Sequence, residues 1–230
     1  MVNRDITEKI RHDFDRLALY DLEQWNHNNH YHQFLLDRLP NKCKNVLDLG
    51  CGTGQFSRLL SDYAEKVIAI DLSPNSIELA KQKSRQFGNI DYQVADVRQW
   101  KFIPEHFDAI VSIATVHHLS VAKLLPKIKT ALKPGGVLIV LDLLDNSGIK
   151  GIFSDLIAVP LNWFFNNRQN KNLVISLEAK EAMQEHLRTD SYLNFSQVKK
   201  IYTEFLQTPE IRQHLFWRYS VVWYKPFKNL

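Results

Sequence analysis

Apolar positions recur along this chain in two different rhythms. From Ile6 to Leu39 they return at three- and four-residue intervals, which predicts two helices, Ile6–Tyr20 and His27–Leu39, stopped by Pro40-Asn41. Short apolar runs then alternate with helical stretches. The runs Asn45–Leu49, Lys66–Ile70, Ile90–Ala95, Phe107–Ile113 and Val137–Leu143 predict strands; Gln55–Tyr63, Pro74–Phe87 and Val121–Leu132 predict the helices between them. Ser73 is placed to cap the second of these helices, with Pro74 at its first position. Strands that are apolar throughout and joined by helices imply a parallel sheet covered on both faces. From Gly148 to Arg188 the alternation stops, and two helical stretches, Ile149–Asn166 and Ser176–Leu187, read as a cap inserted after the fifth strand. Ser196, preceded by Phe195, is the expected cap of a further helix to Gln207, and Ile211–Phe216 with Tyr219–Tyr224 form a hairpin across Trp217-Arg218. The expected architecture is a three-layer α/β sandwich: a seven-stranded, mostly parallel sheet ending in an antiparallel hairpin.

A chain of 230 residues, 45% hydrophobic and 23% charged, suits one domain spanning 1–230, with an N-terminal helical lid (1–40) and the cap (148–190) built into it. The charge of +4 is spread along the sequence rather than gathered in a block, so it reads as a solvated surface more than a nucleic-acid footprint. Two cysteines, Cys43 and Cys51, make no disulfide scaffold and suit a reducing compartment. The polar start, Met1 to Arg11, has no signal-peptide core. The most apolar later stretch, Ile149–Phe165, is broken by Lys150, Asp155, Pro160 and Asn162 and is too short to span a bilayer. A soluble, cytoplasmic protein is expected.

The strongest local signal is Val46-Leu47-Asp48-Leu49-Gly50-Cys51-Gly52-Thr53-Gly54, a strand running into a GxGxG turn that opens a helix. Glycines there let the backbone turn tightly and approach a ligand that a Cβ would exclude. Asp71 closes the second strand about 20 residues further on, where a carboxylate can accept both hydrogen bonds of a ribose diol. Asp48 to Gly54 with Asp71 resembles the cofactor site of the class I S-adenosylmethionine-dependent methyltransferases, whose fold is Rossmann-like. Ala95-Asp96-Val97, Phe107-Asp108-Ala109-Ile110-Val111-Ser112 leading into His117-His118-Leu119, Leu132-Lys133-Pro134-Gly135-Gly136 and the ending Tyr219–Tyr224 extend the resemblance over most of the chain. It implies that Gly50, Gly52 and Gly54, helped by Asp48, line the methionine and sulfonium part. Asp71 would hold the ribose, Leu72 would pack on the adenine, and Asp96 with Val97 would read its edge; Cys51 and Ile113 belong to the same implied site. A sulfonium and an ammonium are better complemented by carboxylates at strand ends than by a phosphate-cradling loop.

Methyl transfer by in-line displacement depends on positioning, which supplies on the order of 7–11 kcal/mol, so a base is needed only where the acceptor must lose a proton. His117 and His118 follow the fourth strand at the carboxyl edge of the sheet; His118 by preference orients or deprotonates the acceptor, the alternative being that His118 packs under the next helix and His117 is solvated. Trp25, His30 and Tyr31, with His27 and His32 nearby, are the expected acceptor-side lining of the lid. Asp142 with Asp145-Asn146 resembles the Asp-Asn pair that holds magnesium in catechol-type methyltransferases, but Ile113-Ala114-Thr115-Val116 supplies no third ligand, and His27/His30 have no Cys or Glu at ligand spacing, so no metal is expected.

A small, partly apolar acceptor is favoured by the cap, where Ile152, Phe153, Leu156, Trp163 and Phe164 either line a cavity or pack on the core, Trp163 being the expected acceptor contact. RNA or protein is the second class of acceptor, supported by the mild basicity and by Trp217-Arg218-Tyr219; the third is a regulator that binds the cofactor without catalysis.

Overall fold

The computed structural model describes residues 2–20, 26–145, 176–187 and 190–227. A seven-stranded sheet runs through it in the order β3-β2-β1-β4-β5-β7-β6. The strands are β1 (Cys43–Leu49), β2 (Ala64–Asp71), β3 (Ile90–Val94), β4 (Phe107–Ile113), β5 (Leu132–Leu143), β6 (Glu210–His214) and β7 (Arg218–Tyr224). Pairing is parallel from β3 to β5, and β7 runs antiparallel to both β5 and β6. Helices α1 (Val2–Ala18), α2 (His32–Leu36), α3 (Gln55–Leu60), α4 (Pro74–Lys83), α5 (Val121–Ala131), α6 (Leu177–Leu187) and α7 (Phe195–Phe205) are the described α-helices.

Strand periodicity divides the core. Leu47 and Leu49 of β1 with Ile68 and Ile70 of β2 face one side, under Leu124, Leu125 and Ile128 of α5 and Val198 and Tyr202 of α7. Val46, Val67 and Ala69 face the other, under Phe56 and Leu60 of α3 and Ile77 and Ala80 of α4. With both faces covered, the sheet offers a ligand only its carboxyl edge. The chain leaves β1 toward β2 and β3 on one side and returns to β4 and β5 on the other, so a crevice opens between the ends of β1 and β4.

Several expected boundaries shift for identifiable reasons. The helix read over His27–Leu39 is a 3-10 turn, Asn29–Tyr31, followed by the short α2, because Asn26 Oδ1 accepts from the amides of Asn28 (2.9 Å) and Asn29 (3.0 Å) and so offers the backbone a competing turn. The cap of α7 is Asn194, not Ser196: Asn194 and Gln197 bond each other's amides in a capping box. The final hairpin turns through Leu215-Phe216-Trp217 instead of Trp217-Arg218; Phe216 and Trp217 both have positive φ, held there by burial of the Phe216 ring, on which His27 stacks. Of the cap, residues 176–187 and 190 are described; the expected helix Ile149–Asn166 lies outside the described residues. Helix α6 lies against α1, where Arg16 Nη1 meets Glu185 Oε2 at 2.8 Å.

Candidate cofactor and acceptor site

Backbone hydrogen bonds build the floor of the crevice. Past β1 the amides of Gly50 and Cys51 both donate to Ile70 O (2.8 and 3.0 Å), which bends the chain across the end of β2. The amide of Gly52 then donates to Asp71 Oδ2 (2.9 Å), while the other Asp71 oxygen accepts from Ser73 N (2.8 Å), so one carboxylate ties the glycine loop to the start of α4. Gly50, Gly52 and Gly54 all have positive φ. At Gly50 a side chain is also excluded by contact: a Cβ there would lie 2.1 Å from Thr115 Oγ1 in the loop after β4.

A cavity of about 290 Å³ opens above this floor, at the lower end of the volumes that hold small ligands. Of the residues expected at the cofactor, Asp48, Gly50, Cys51, Gly52, Asp71, Leu72, Asp96, Val97 and Ile113 line it. Gly54 does not. It caps α3 from below, and its glycine is required by the Tyr92 hydroxyl, which a Cβ would approach to 2.4 Å. The Asp96 carboxylate is already engaged by Arg98, through the amide and Nε (each 2.9 Å to Oδ1) and Nη2 (2.9 Å to Oδ2), and by Gln99.

Two buried carboxylates set the electrostatics. Asp48, 1% exposed, accepts 2.6 Å from Ser57 Oγ and is pushed up to about 7, chiefly by burial and further by Asp71 nearby. Asp71 is raised as well by burial, against the lowering effect of the Ser73 and Gly52 amides. Such a pair stabilises a cation placed between the loop and β2. Burial also raises the Cys51 thiol well above its ordinary range, so Cys51 is a wall residue rather than a nucleophile.

On the acceptor side the expected set is only partly assembled. His118 lines the cavity; His117 does not. Its amide donates to Asp142 Oδ2 (2.8 Å) and its Nδ1 lies 2.6 Å from Asp142 Oδ1, a carboxylate with no solvent exposure. His117 is raised to about 9, the carboxylates of Asp142 and then Asp190 outweighing burial, which is the largest single cause and acts the other way. Asp142 therefore anchors a histidine.

Neither His30 nor Tyr31 lines the cavity. The Tyr31 hydroxyl donates to Leu215 O (3.0 Å), and His30 packs edge-on against Tyr31 and Phe216. Trp25 and Trp163 lie outside the described residues. In their place the lid contributes Ile10 and Phe14 of α1 with Asn26, Asn28 and His32. Their signal was present in the sequence, since Ile10 and Phe14 stand four apart on one helix face. Asn28 is fixed by the buried Arg218 of β7, whose Nε donates to its Oδ1 (2.8 Å). Asp15 docks α1 by accepting from Ser73 Oγ (2.5 Å) and Asn75 N (3.1 Å) at the N-terminus of α4.

A glycine bend, two buried acids at the ends of β1 and β2 and a crevice at the switch point define a Rossmann-like domain made for a cationic nucleoside cofactor. Residues 47–140 match the family described as a methyltransferase domain. Over that stretch the chain is similar to methyltransferase domains. It is 41% identical over 101 residues to a malonyl-[acyl-carrier protein] O-methyltransferase of Paenibacillus sp. (strain JDR-2), a stretch covering 41% of this chain and 37% of that one. It is 30% identical over 108 residues to a ubiquinone biosynthesis O-methyltransferase of Coxiella burnetii, covering 46% of each. The matched stretches thus span less than half of these relatives. Among solved structures, the N-methyltransferase NodS from Bradyrhizobium japonicum WM9, in complex with S-adenosyl-L-homocysteine, shares the fold with a TM-score of 0.64 and 19% identity over 94% of this chain and 98% of that one. Among the described residues no helix is long and apolar enough to cross a membrane.

Proposed function

We propose that this protein transfers the methyl group of S-adenosylmethionine, by in-line displacement at carbon, to a small molecule held against His118 and the apolar face of α1. The observation that carries the reading is the shared cavity: one wall is the glycine loop with Asp48 and Asp71, and the other is Ile10, Phe14, Leu119 and His118. The acids and loop hold the cationic cofactor, Leu72 and Val97 flank its base, and the apolar wall excludes water from the methyl group. Asp142 fixes the start of the loop that presents His118, and His118 orients the acceptor. The unbridged thiols of Cys43 and Cys51 support a reducing, cytoplasmic setting.

Purified protein incubated with methyl-labelled cofactor and fractionated cell extract is expected to label the small-molecule fraction. Label in RNA or protein instead overturns the acceptor class, and no transfer into any fraction overturns the enzymatic reading. The observation favouring RNA is a second cleft beside the first, sharing Val97, Arg98, His118 and Leu119 with it and adding Lys123 and Lys127. His118→Ala is expected to lower kcat about 100-fold while cofactor Kd stays within about twofold. Equal turnover in variant and wild type removes His118 from the acceptor side.

Asp48 gives a pH signature. Its folded value near 7 stands above the unfolded carboxylate range, so the native state binds the extra proton between roughly pH 4 and 7. The ligand-free fold is therefore unpenalised below that window and loses stability as pH rises through it. A bound cation favours the ionised form, so S-adenosylmethionine affinity should strengthen from pH 5.5 and level off above about 7.5. In Asp48→Asn the affinity should be weaker and flat over the same range; a wild-type profile that is also flat contradicts the assignment.

A further inference from the structure

Behind the cavity wall, the loop after β4 and the chain leaving α6 bring together three side chains that the methyl-transfer chemistry does not require in that arrangement. His117 Nε2 lies 3.7 Å from Asp190 Oδ2, and His118 Nδ1 lies 3.5 Å from Asp190 Oδ1. One ligand atom from each of the three falls within 4.8 Å of the others. The side chains are 6%, 10% and 5% exposed. We propose that His117, His118 and Asp190 form a binding site for a zinc-type divalent transition-metal ion.

Three observations carry this. The first is spacing. A charge-assisted hydrogen bond between imidazole and carboxylate closes to about 2.7–2.9 Å, as His117 Nδ1 and Asp142 do at 2.6 Å. The two Asp190 separations are longer and similar to each other, near the roughly 3.3–3.5 Å that separates ligand atoms bound at about 2.0–2.2 Å around a tetrahedral ion. All three ligand atoms lie within 4.8 Å of one another.

The second is the outer shell. Asp142 holds the Nδ1 side of His117, which leaves Nε2 to face Asp190; on metal binding the ion takes the place of the Nε2 proton. The Tyr192 hydroxyl donates to Asp190 Oδ2 (2.8 Å) and fixes the carboxylate. A carboxylate on the far nitrogen of a histidine and a donor on the carboxylate are the supports that metal ligands use.

The third is donor chemistry. Two imidazole nitrogens with one carboxylate suit zinc and its neighbours, whereas magnesium and calcium call for oxygen donors and high coordination. Three protein ligands leave a fourth position for water or an acceptor oxygen. The ion would also bind the chain leaving α6 to the sheet beside His118. This inference does not depend on which acceptor is methylated.

The test uses untagged full-length protein, stripped by chelator, loaded with zinc or cobalt(II) and desalted. Elemental analysis is expected to find one zinc per chain, and the cobalt form to show the intense visible bands of a four-coordinate site. Asp190→Ala should bind zinc on the order of 100-fold more weakly in competition with a chromophoric chelator, and His118→Ala should alter or abolish the cobalt bands. S-adenosylhomocysteine binding and far-ultraviolet circular dichroism report that each variant is folded; if Asp190→Ala fails to fold, the wild-type stoichiometry and the His118→Ala spectrum decide. No retained metal in the wild type overturns the proposal. So does a folded Asp190→Ala that binds zinc as tightly as wild type, which would move the ion elsewhere, for instance to His27, His30 and His32.

Discussion

Gly50→Ala is expected to abolish detectable cofactor binding and to lower the melting temperature by about 10 °C. Gly50 has φ +73°, a conformation that costs an alanine about 1–2 kcal/mol, and its new Cβ would lie 2.1, 2.4 and 2.7 Å from Oγ1, Cγ2 and Cβ of Thr115. Thr115 has no room to retreat, because its hydroxyl is bonded to Ile113 O (2.9 Å) and its loop carries His117 into Asp142. Overpacking of this kind costs a further 1–3 kcal/mol or so, and any relief that separates the two loops widens the crevice where the cofactor sits. The combined loss of about 2–5 kcal/mol corresponds to the stated shift in a domain of this size. Removing the obstacle in Gly50→Ala/Thr115→Gly should recover part of the melting temperature but little binding. A single mutant that melts and binds like wild type would show that the β1 and β4 loops are not packed as described. Gly52 makes an internal control: nothing lies within 4 Å of a Cβ built there, so Gly52→Ala should feel only its backbone conformation and whatever the ligand needs.

Asp71→Ala is expected to weaken cofactor binding at least about 100-fold, near 2.7 kcal/mol, with a smaller loss in Asp71→Asn. The carboxylate has two tasks. It faces the cavity, where a ribose diol would meet it, and its oxygens accept the amides of Gly52 and Ser73. Alanine leaves both amides without their acceptor, and an unsatisfied buried amide costs about 1–3 kcal/mol. Asparagine keeps one oxygen for one of them. Isothermal titration with S-adenosylhomocysteine, alongside circular dichroism, separates a lost ligand contact from a lost fold. A Kd within threefold of wild type in a folded Asp71→Ala would take Asp71 out of the site.

What was legible in the sequence divides along physical lines. The buried strands were, because a strand covered on both faces has no polar positions to blur it; β4 was read as Phe107–Ile113, the range it occupies. β5 begins earlier than expected, at Leu132, because Leu132 pairs with Phe107 before the register shifts around Lys133-Pro134-Gly135-Gly136. The glycine-loop wall of the cavity was legible for the same reason as the strands: its residues sit at strand ends and in one contiguous loop. The opposite wall was not. Asn26, Asn28 and His32 reach the cavity through an Asx-turned segment that periodicity reads as a plain helix, and Arg218 fixes Asn28 from the last strand. Asp190 lies far from His117 and His118 along the chain, and no spacing rule connects residues that only the return of the chain after α6 brings together.

The most direct measurement is calorimetric titration of the purified chain with S-adenosylmethionine, S-adenosylhomocysteine and a nicotinamide dinucleotide. One equivalent of either sulfur compound should bind with micromolar or better affinity and the dinucleotide should give no heat. Heat from the dinucleotide with none from the sulfur compounds would contradict a site built on Asp48, Gly50 and Asp71 for a cationic sulfonium cofactor.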